Sequence, residues 1–161
     1  FLSADQREVD ILIAGNKNRE FGRNLQDWLN QFDYSTQLLD YQTSREDFLK
    51  QLSNSRITIF LPEAKEGFYL PSLEGMASGT LVICPDCVGN RSHNFDGLNC
   101  LMPDYSLDSI KASIGKALEM TQIERDTIKD KALHTVRKHT IEAERDAFLE
   151  ILDQAYELWN A

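Results

Sequence analysis

Short apolar runs punctuate the first half of the chain: "VDILIA" at 9–14, "RITIFLP" at 56–62 and "TLVICP" at 80–85. Each is rich in β-branched residues and too short for a buried helix, so each reads as a strand covered on both faces. "TQLLDY" at 36–41 is a weaker strand, and "GLNCLMP" at 97–103 a candidate short final one. Between the strands the period changes. In "REFGRNLQDWLNQF", Phe21, Leu25, Trp28, Leu29 and Phe32 recur at helical spacing. "SREDFLKQLSNS" starts with Ser44 three residues before Asp47, a capping-box-like start, and carries Phe48, Leu49 and Leu52 inward. "SLDSIKASIGKALEM" has Ser106 as its cap, and helical segments follow at 122–139 and 141–160. The last places Phe148, Ile151, Leu152, Ala155 and Leu158 on one face, which reads most simply as core packing.

Strands alternating with helices predict an α/β fold. The expectation is a Rossmann-like parallel sheet with helices on both faces and additional C-terminal helices, in a single domain spanning 1–161. Ligands of such sheets bind where strands run out into loops. The candidate loops are "GNKNREFG" (15–22), "EAKEGFYLP" (63–71) and "DCVGNRSHNFDG" (86–97).

Composition narrows the function classes. A net charge of −9 over 161 residues argues against a nucleic-acid partner, which needs a basic face. It leaves room for a small anion where a few cations converge. No apolar run approaches the ~18–20 residues of a membrane span, and no secretory signal is visible. Three Cys point to a reducing, cytoplasmic setting and not to a disulfide scaffold. The first residue is Phe1, as expected of a piece of a longer chain.

The most informative stretch is "EGFYLPSLEGMASGT" (66–80). Pro71 suits the first turn of a helix and Gly79 the position that ends it, so a helix is predicted at about 71–78. Glu74 then sits near its first turn and Glu66 in the loop before it, with the amides of Gly67 to Leu70 between the two acids. A diphosphate favours backbone N–H groups and the positive end of a helix. The hydroxyls of a sugar favour carboxylates, which accept charge-assisted hydrogen bonds from neighbouring O–H groups. Two acids flanking a row of amides therefore match a nucleoside diphosphate sugar. A helix acid favoured by the dipole and a surface Glu before it would give the same spacing.

The stretch resembles the donor-binding half of retaining GT-B-type glycosyltransferases, the group 1 glycosyltransferases. Their acid-x7-acid pattern runs approximately E-G-F-G-L-P-x-x-E-A-M-A-x-G-x-P-V-V. Downstream, "VGNRSHNFDGLNCLMP" (88–103) resembles the family's G-G-x-x-E-x-x-x-D-G-x-N-G-x-L-V-x-P, with Asp96, Gly97, Asn99, Leu101 and Pro103 in matching places. The resemblance spans about 9–118. It implies that Glu66 contacts the donor sugar, that Glu74 holds the ribose diol, and that the amides of Phe68, Tyr69 and Leu70, with Gly67, line the sugar and diphosphate. It implies transfer of the sugar to an acceptor hydroxyl with retention, no metal and no cofactor. It also implies a missing N-terminal acceptor-binding domain, without which this chain binds donor but transfers little. The base would be read near Tyr41 and Gln42, and part of the last helix could face the other domain.

The sequence departs from the family pattern at several places. Tyr69 replaces a usual Gly, Gly75 a usual Ala, Thr80 stands just before a usual Pro, and His93 lies near a common Glu. The family's Arg-x4-Lys pair after the first strand is absent; Lys17, Arg19 and Arg23 stand there instead. A departing nucleoside diphosphate needs local cations, and Lys17 and Arg19 are the candidates, with solvated loop charges as the competing reading. The alternative function is a non-catalytic α/β module that binds a nucleotide or a protein.

Cys84, Cys87, His93 and Cys100 could in principle ligate zinc. The favoured reading is structural: Cys84 ends a strand and the other thiols pack nearby. His134 and His139 are read as surface residues in charged helical surroundings.

Overall fold

A computed structural model describes residues 6–160. Strands β1 (Val9–Ala14), β2 (Thr36–Leu39), β3 (Ser55–Phe60) and β4 (Leu81–Ile83) form one parallel sheet in the order β2-β1-β3-β4. Helices α1 (Arg19–Leu29), α2 (Arg45–Ser53) and α3 (Leu70–Ala77) connect them. Helices α4 (Leu107–Glu119), α5 (Gln122–Val136) and α6 (Ile141–Asn160) complete the described chain. This is the predicted α/β, Rossmann-like architecture.

Alternation along each strand separates two cores, because successive side chains point to opposite faces of the sheet. Ile11 and Ile13 of β1 and Ile57 and Ile59 of β3 face Leu25 and Leu29 of α1 and Ile110 and Ile114 of α4. Leu12, Phe60 and Val82 face Leu52 of α2, Leu73 and Met76 of α3 and Ala132 of α5. The continuous apolar runs thus have the expected cause: both faces are covered.

Local signals set the helix ends. Ser44, Ser106 and Thr121 accept the amides of Asp47, Ser109 and Glu124, removing otherwise unpaired donors. Gly79 has φ 72°, the left-handed conformation that closes α3 at little cost for glycine. At the opposite end of the sheet from the candidate loops, Arg7 is buried. It donates to the carbonyls of Ser55 (2.6 Å) and Ser78 (2.8 Å), tying β3 to the end of α3.

Four expectations are corrected. The run at 80–85 yields a strand only over Leu81–Ile83. The candidate strand at 97–103 reduces to two isolated bridges, Asp96–Cys100 within the loop and Ile83–Leu101 to the sheet, the latter with Leu101 N–H to Val82 O and Cys84 N–H to Leu101 O both 2.9 Å; Pro85, which has no N–H, follows at once. Phe32 lies beyond the end of α1, is half exposed, and packs edge-on against Trp28 and not into the core. The apolar face of α6 is not core: no residue of that helix is buried, and Ile151 and Leu158 are 61% and 81% exposed. Periodicity reports that a face is apolar but not what covers it.

Candidate donor-binding site

In the order β2-β1-β3-β4 the chain leaves β1 toward one edge of the sheet and returns through β3 toward the other. The loops after β1 and β3 therefore part at the C-terminal ends of the strands and leave a crevice. Lys17 lies in the first loop and Glu66 in the second, and Lys17 Nζ stands 3.2 Å from Glu66 Oε1. The ammonium is beside that oxygen but not aligned on it. Among the described residues no hydrogen-bond donor reaches Glu66 Oε1, although it is buried.

Glu74 lies past the first turn of α3, which begins at Leu70 and carries no acid there. This corrects the expectation that the helix dipole favours it. Its partner is Arg45, the first residue of α2, at 3.0 Å. The two acids thus carry one cation each. Glu74 lines a cleft of about 370 Å³ together with Lys17, Gln42, Arg45, Tyr69 and Leu70; Glu66 does not line it and adjoins it through Lys17. A second cleft of about 550 Å³ shares Arg45, Leu70 and Glu74, and is completed by apolar groups such as Leu73, Val136 and Ile141 and by the polar His139, Thr140 and Glu144.

The loop between the acids is held from behind. The Tyr69 N–H donates to Gly89 O at 2.9 Å, and the Val88 N–H to Ala64 O at 3.3 Å. The amide of Tyr69 is therefore turned away from the cleft, which corrects its expected place in the amide row. Of the remaining candidates Leu70 lines this cleft, Phe68 lines only the second and Gly67 lines neither, and Pro71 has no N–H. Gly89 is a residue that sequence reasoning missed. A Cβ there would lie 2.8 Å from Glu66 O, 2.8 Å from Tyr69 N and 2.9 Å from Phe68 N. Only glycine lets the turn Val88–Asn90 back this closely against the loop.

The departures from the family pattern have packing reasons. The Tyr69 side chain is buried, with its ring 6.2 Å from that of Phe60, and burial pushes its phenol well above the usual range. Phe60 in turn occupies the space of a side chain at position 75: a Cβ on Gly75 would lie 2.8 Å from the Phe60 ring. The Thr80 hydroxyl is 2.9 Å from that of Thr58 across the β3–β4 pair.

His93 and His139 also belong to this region. Phe68, half exposed at the loop tip, has ring centroids 5.1 Å from His93 and 6.1 Å from His139. His139 is thus not a plain surface residue; it is only 25% exposed and lines the second cleft. His93 is fully buried and shares a 3.0 Å hydrogen bond with the Ser72 hydroxyl, joining the loop after β4 to α3. Burial, reinforced by His139, pushes the His93 imidazole down from 6.5 to about 4. The unfolded chain takes up this proton as pH falls below 6.5 and the folded chain does not, so the stabilisation is complete above that pH and is lost toward pH 4. Urea unfolding at pH 7 and pH 5 should therefore show a larger loss for wild type than for His93→Gln; equal losses would contradict the assignment.

Arg19 begins α1, is exposed, and lines neither cleft. Arg23 is paired with Asp40 at 2.7 Å. His134 is exposed. Cys84, Cys87 and Cys100 are free, buried thiols, and burial raises that of Cys100 to about 12. Among the described residues no group of three or more His, Cys, Asp or Glu side chains is placed to hold a metal, and no helix is long and apolar enough to cross a membrane.

Comparison with solved structures shows the same fold. An α,α-trehalose 6-phosphate synthase from Burkholderia multivorans matches 97% of this chain with 14% identity and a TM-score of 0.73. A sucrose-phosphate synthase from Thermosynechococcus elongatus matches 98% with 16% identity and a TM-score of 0.71. The C-terminal domain of a group 1 glycosyl transferase from Francisella tularensis matches 78% of this chain and 65% of its own length, with 21% identity and a TM-score of 0.60. The chain spans 44% and 47% of the two synthases. No curated protein is significantly similar to it in sequence. The family described as "Glycosyl transferases group 1" matches residues 2–134, most of the chain, and that match makes this chain a member of the group 1 glycosyl transferases.

Proposed function

We propose that this chain is the donor-binding domain of a glycosyltransferase that moves a sugar from a nucleoside diphosphate sugar to an acceptor hydroxyl with retention. The observation that carries the reading is one cleft at the C-terminal end of the sheet lined by Glu74 and by two cations, Arg45 and Lys17, with Glu66 held just outside it against Lys17. Glu74 accepts from the ribose diol and Glu66 from the sugar. The amides of Gly67, Phe68 and Leu70 face the diphosphate. Lys17 stabilises the charge that develops on the departing diphosphate, so the reaction needs no metal and no further cofactor. Acceptor binding belongs to a second, preceding domain, consistent with the chain's span of less than half of the two synthases.

Calorimetric titration with UDP, GDP and ADP tests the reading. Glu74→Ala should weaken binding of whichever diphosphate the wild type takes by ~1.5–3 kcal/mol, the range for a hydrogen bond to a charged group. Equal affinity would remove Glu74 from the site. One observation favours a second reading, a module that binds without transferring: Arg19, expected to replace part of the missing basic pair, lines neither cleft. Failure of all three diphosphates to bind at millimolar concentration would favour a protein-interaction module instead.

A further inference from the structure

The cleft has a cation that the family pattern does not place there. Arg45 comes from the start of α2, not from the loop after β1, yet its guanidinium reaches Glu74 at 3.0 Å. The two partners are unequally placed. The Glu74 side chain is only 13% exposed, so its carboxylate has lost most of its hydration and needs a partner. The Arg45 side chain is 74% exposed, and Glu74 is its one ion-pair partner among the described residues. Arg23 and Arg91 differ, since each holds its acid through several contacts outside the clefts. Arg45 is therefore loosely held, while Glu74 is the group that requires the contact.

We propose that Arg45 is a movable counter-ion of the donor site. It neutralises Glu74 while the cleft is empty and turns to the diphosphate when the ribose hydroxyls take its place on the carboxylate. The exchange keeps every charged group partnered. The ribose O–H groups donate to Glu74, and the guanidinium, whose planar fork fits two phosphate oxygens, moves onto the anion. Arg45 and Lys17 line the same cleft, so two cations face the place where the diphosphate sits. Arg45 thereby supplies the second positive charge that the absent Arg-x4-Lys pair would have given. This rests on the donor-site reading above and adds a residue to it.

The test compares ligands with and without the diphosphate. The whole chain, as wild type, Arg45→Gln and Arg45→Lys, is titrated with UDP, GDP and ADP and with uridine, guanosine and adenosine, each at low and high salt. Arg45→Gln should lose about ten- to a hundredfold in affinity for the diphosphate that wild type binds. It should keep or slightly gain affinity for the matching nucleoside, because Glu74 is freed. Its diphosphate affinity should also depend less on salt, and Arg45→Lys should recover part of the loss. Wild-type diphosphate affinity in Arg45→Gln would overturn the proposal. So would equal losses for nucleoside and diphosphate, which would make Arg45 only a support for Glu74. Absence of diphosphate binding by the wild type is a different result: it would overturn the donor-site reading itself and this proposal with it.

Discussion

In the two-domain enzyme proposed for this chain, replacing Glu66 by Ala is expected to slow sugar transfer roughly 10²–10³-fold, the range for removing one preorganised electrostatic contact to the transition state. The buried Oε1 of Glu66 is met among the described residues only by the Lys17 ammonium, 3.2 Å away and not aligned on it, so a ligand hydroxyl that donates to it would satisfy an unfilled acceptor. A contact that positions the sugar for attack acts mainly in the transition state, and its loss lowers the rate constant more than ground-state binding. Free nucleoside diphosphate has no sugar, so its affinity should barely change. Single-turnover transfer by the parent enzyme, paired with diphosphate titration of the same variant, separates these effects. Unchanged transfer would end the assignment. A large loss of diphosphate affinity would mean that Glu66 organises the loop and that the sugar lies at the other end of the motif.

Gly89→Ala should have the largest effect among changes outside the cleft. The new methyl would sit within 2.9 Å of three backbone atoms of the acidic loop, closer than real carbon contacts allow. These atoms belong to the main chain, so the loop or the turn must move, at a cost of ~1–3 kcal/mol in folding stability. The functional cost should be greater than that figure suggests, because the displaced segment is the one that carries Glu66 and the amides of Phe68 and Leu70. Denaturant unfolding and calorimetry on the same samples check it. The expected result is a folded variant with diphosphate affinity reduced at least tenfold. Wild-type affinity in a folded variant would show that the turn does not position the loop.

Much of this was legible in the sequence. The strand Val9–Ala14 has the bounds its apolar run predicts, and Ser44, Ser106 and Gly79 end helices where their chemistry requires. These features are local, and local chemistry is written in adjacent residues. What was missed depends on distant pairs. Arg45 meets Glu74, and Gly89 meets the loop at 66–69, only because the parallel sheet brings successive connections to one end. The Tyr69 amide shows the same limit, since its direction is set by a carbonyl from another loop. His139 looked like a surface residue because its sequence neighbours are charged, but α5 ends at Val136 and leaves it against Phe68 and His93. For α6 the pattern was read correctly as apolar and wrongly as buried.

The central claim is that the cleft between the Lys17–Glu66 and Arg45–Glu74 pairs takes a nucleoside diphosphate. Backbone amide chemical-shift mapping of the chain titrated with UDP, GDP and ADP tests it most directly. The account predicts saturable shifts for one of them, concentrated at Lys17, Gln42, Arg45, Gly67, Phe68, Leu70 and Glu74. The Tyr69 amide should stay bonded to Gly89, and α6 should be silent. Shifts confined to α6 or to the far side of the second cleft, at Val136, His139 and Thr140, or none with any of the three at millimolar concentration, would contradict it.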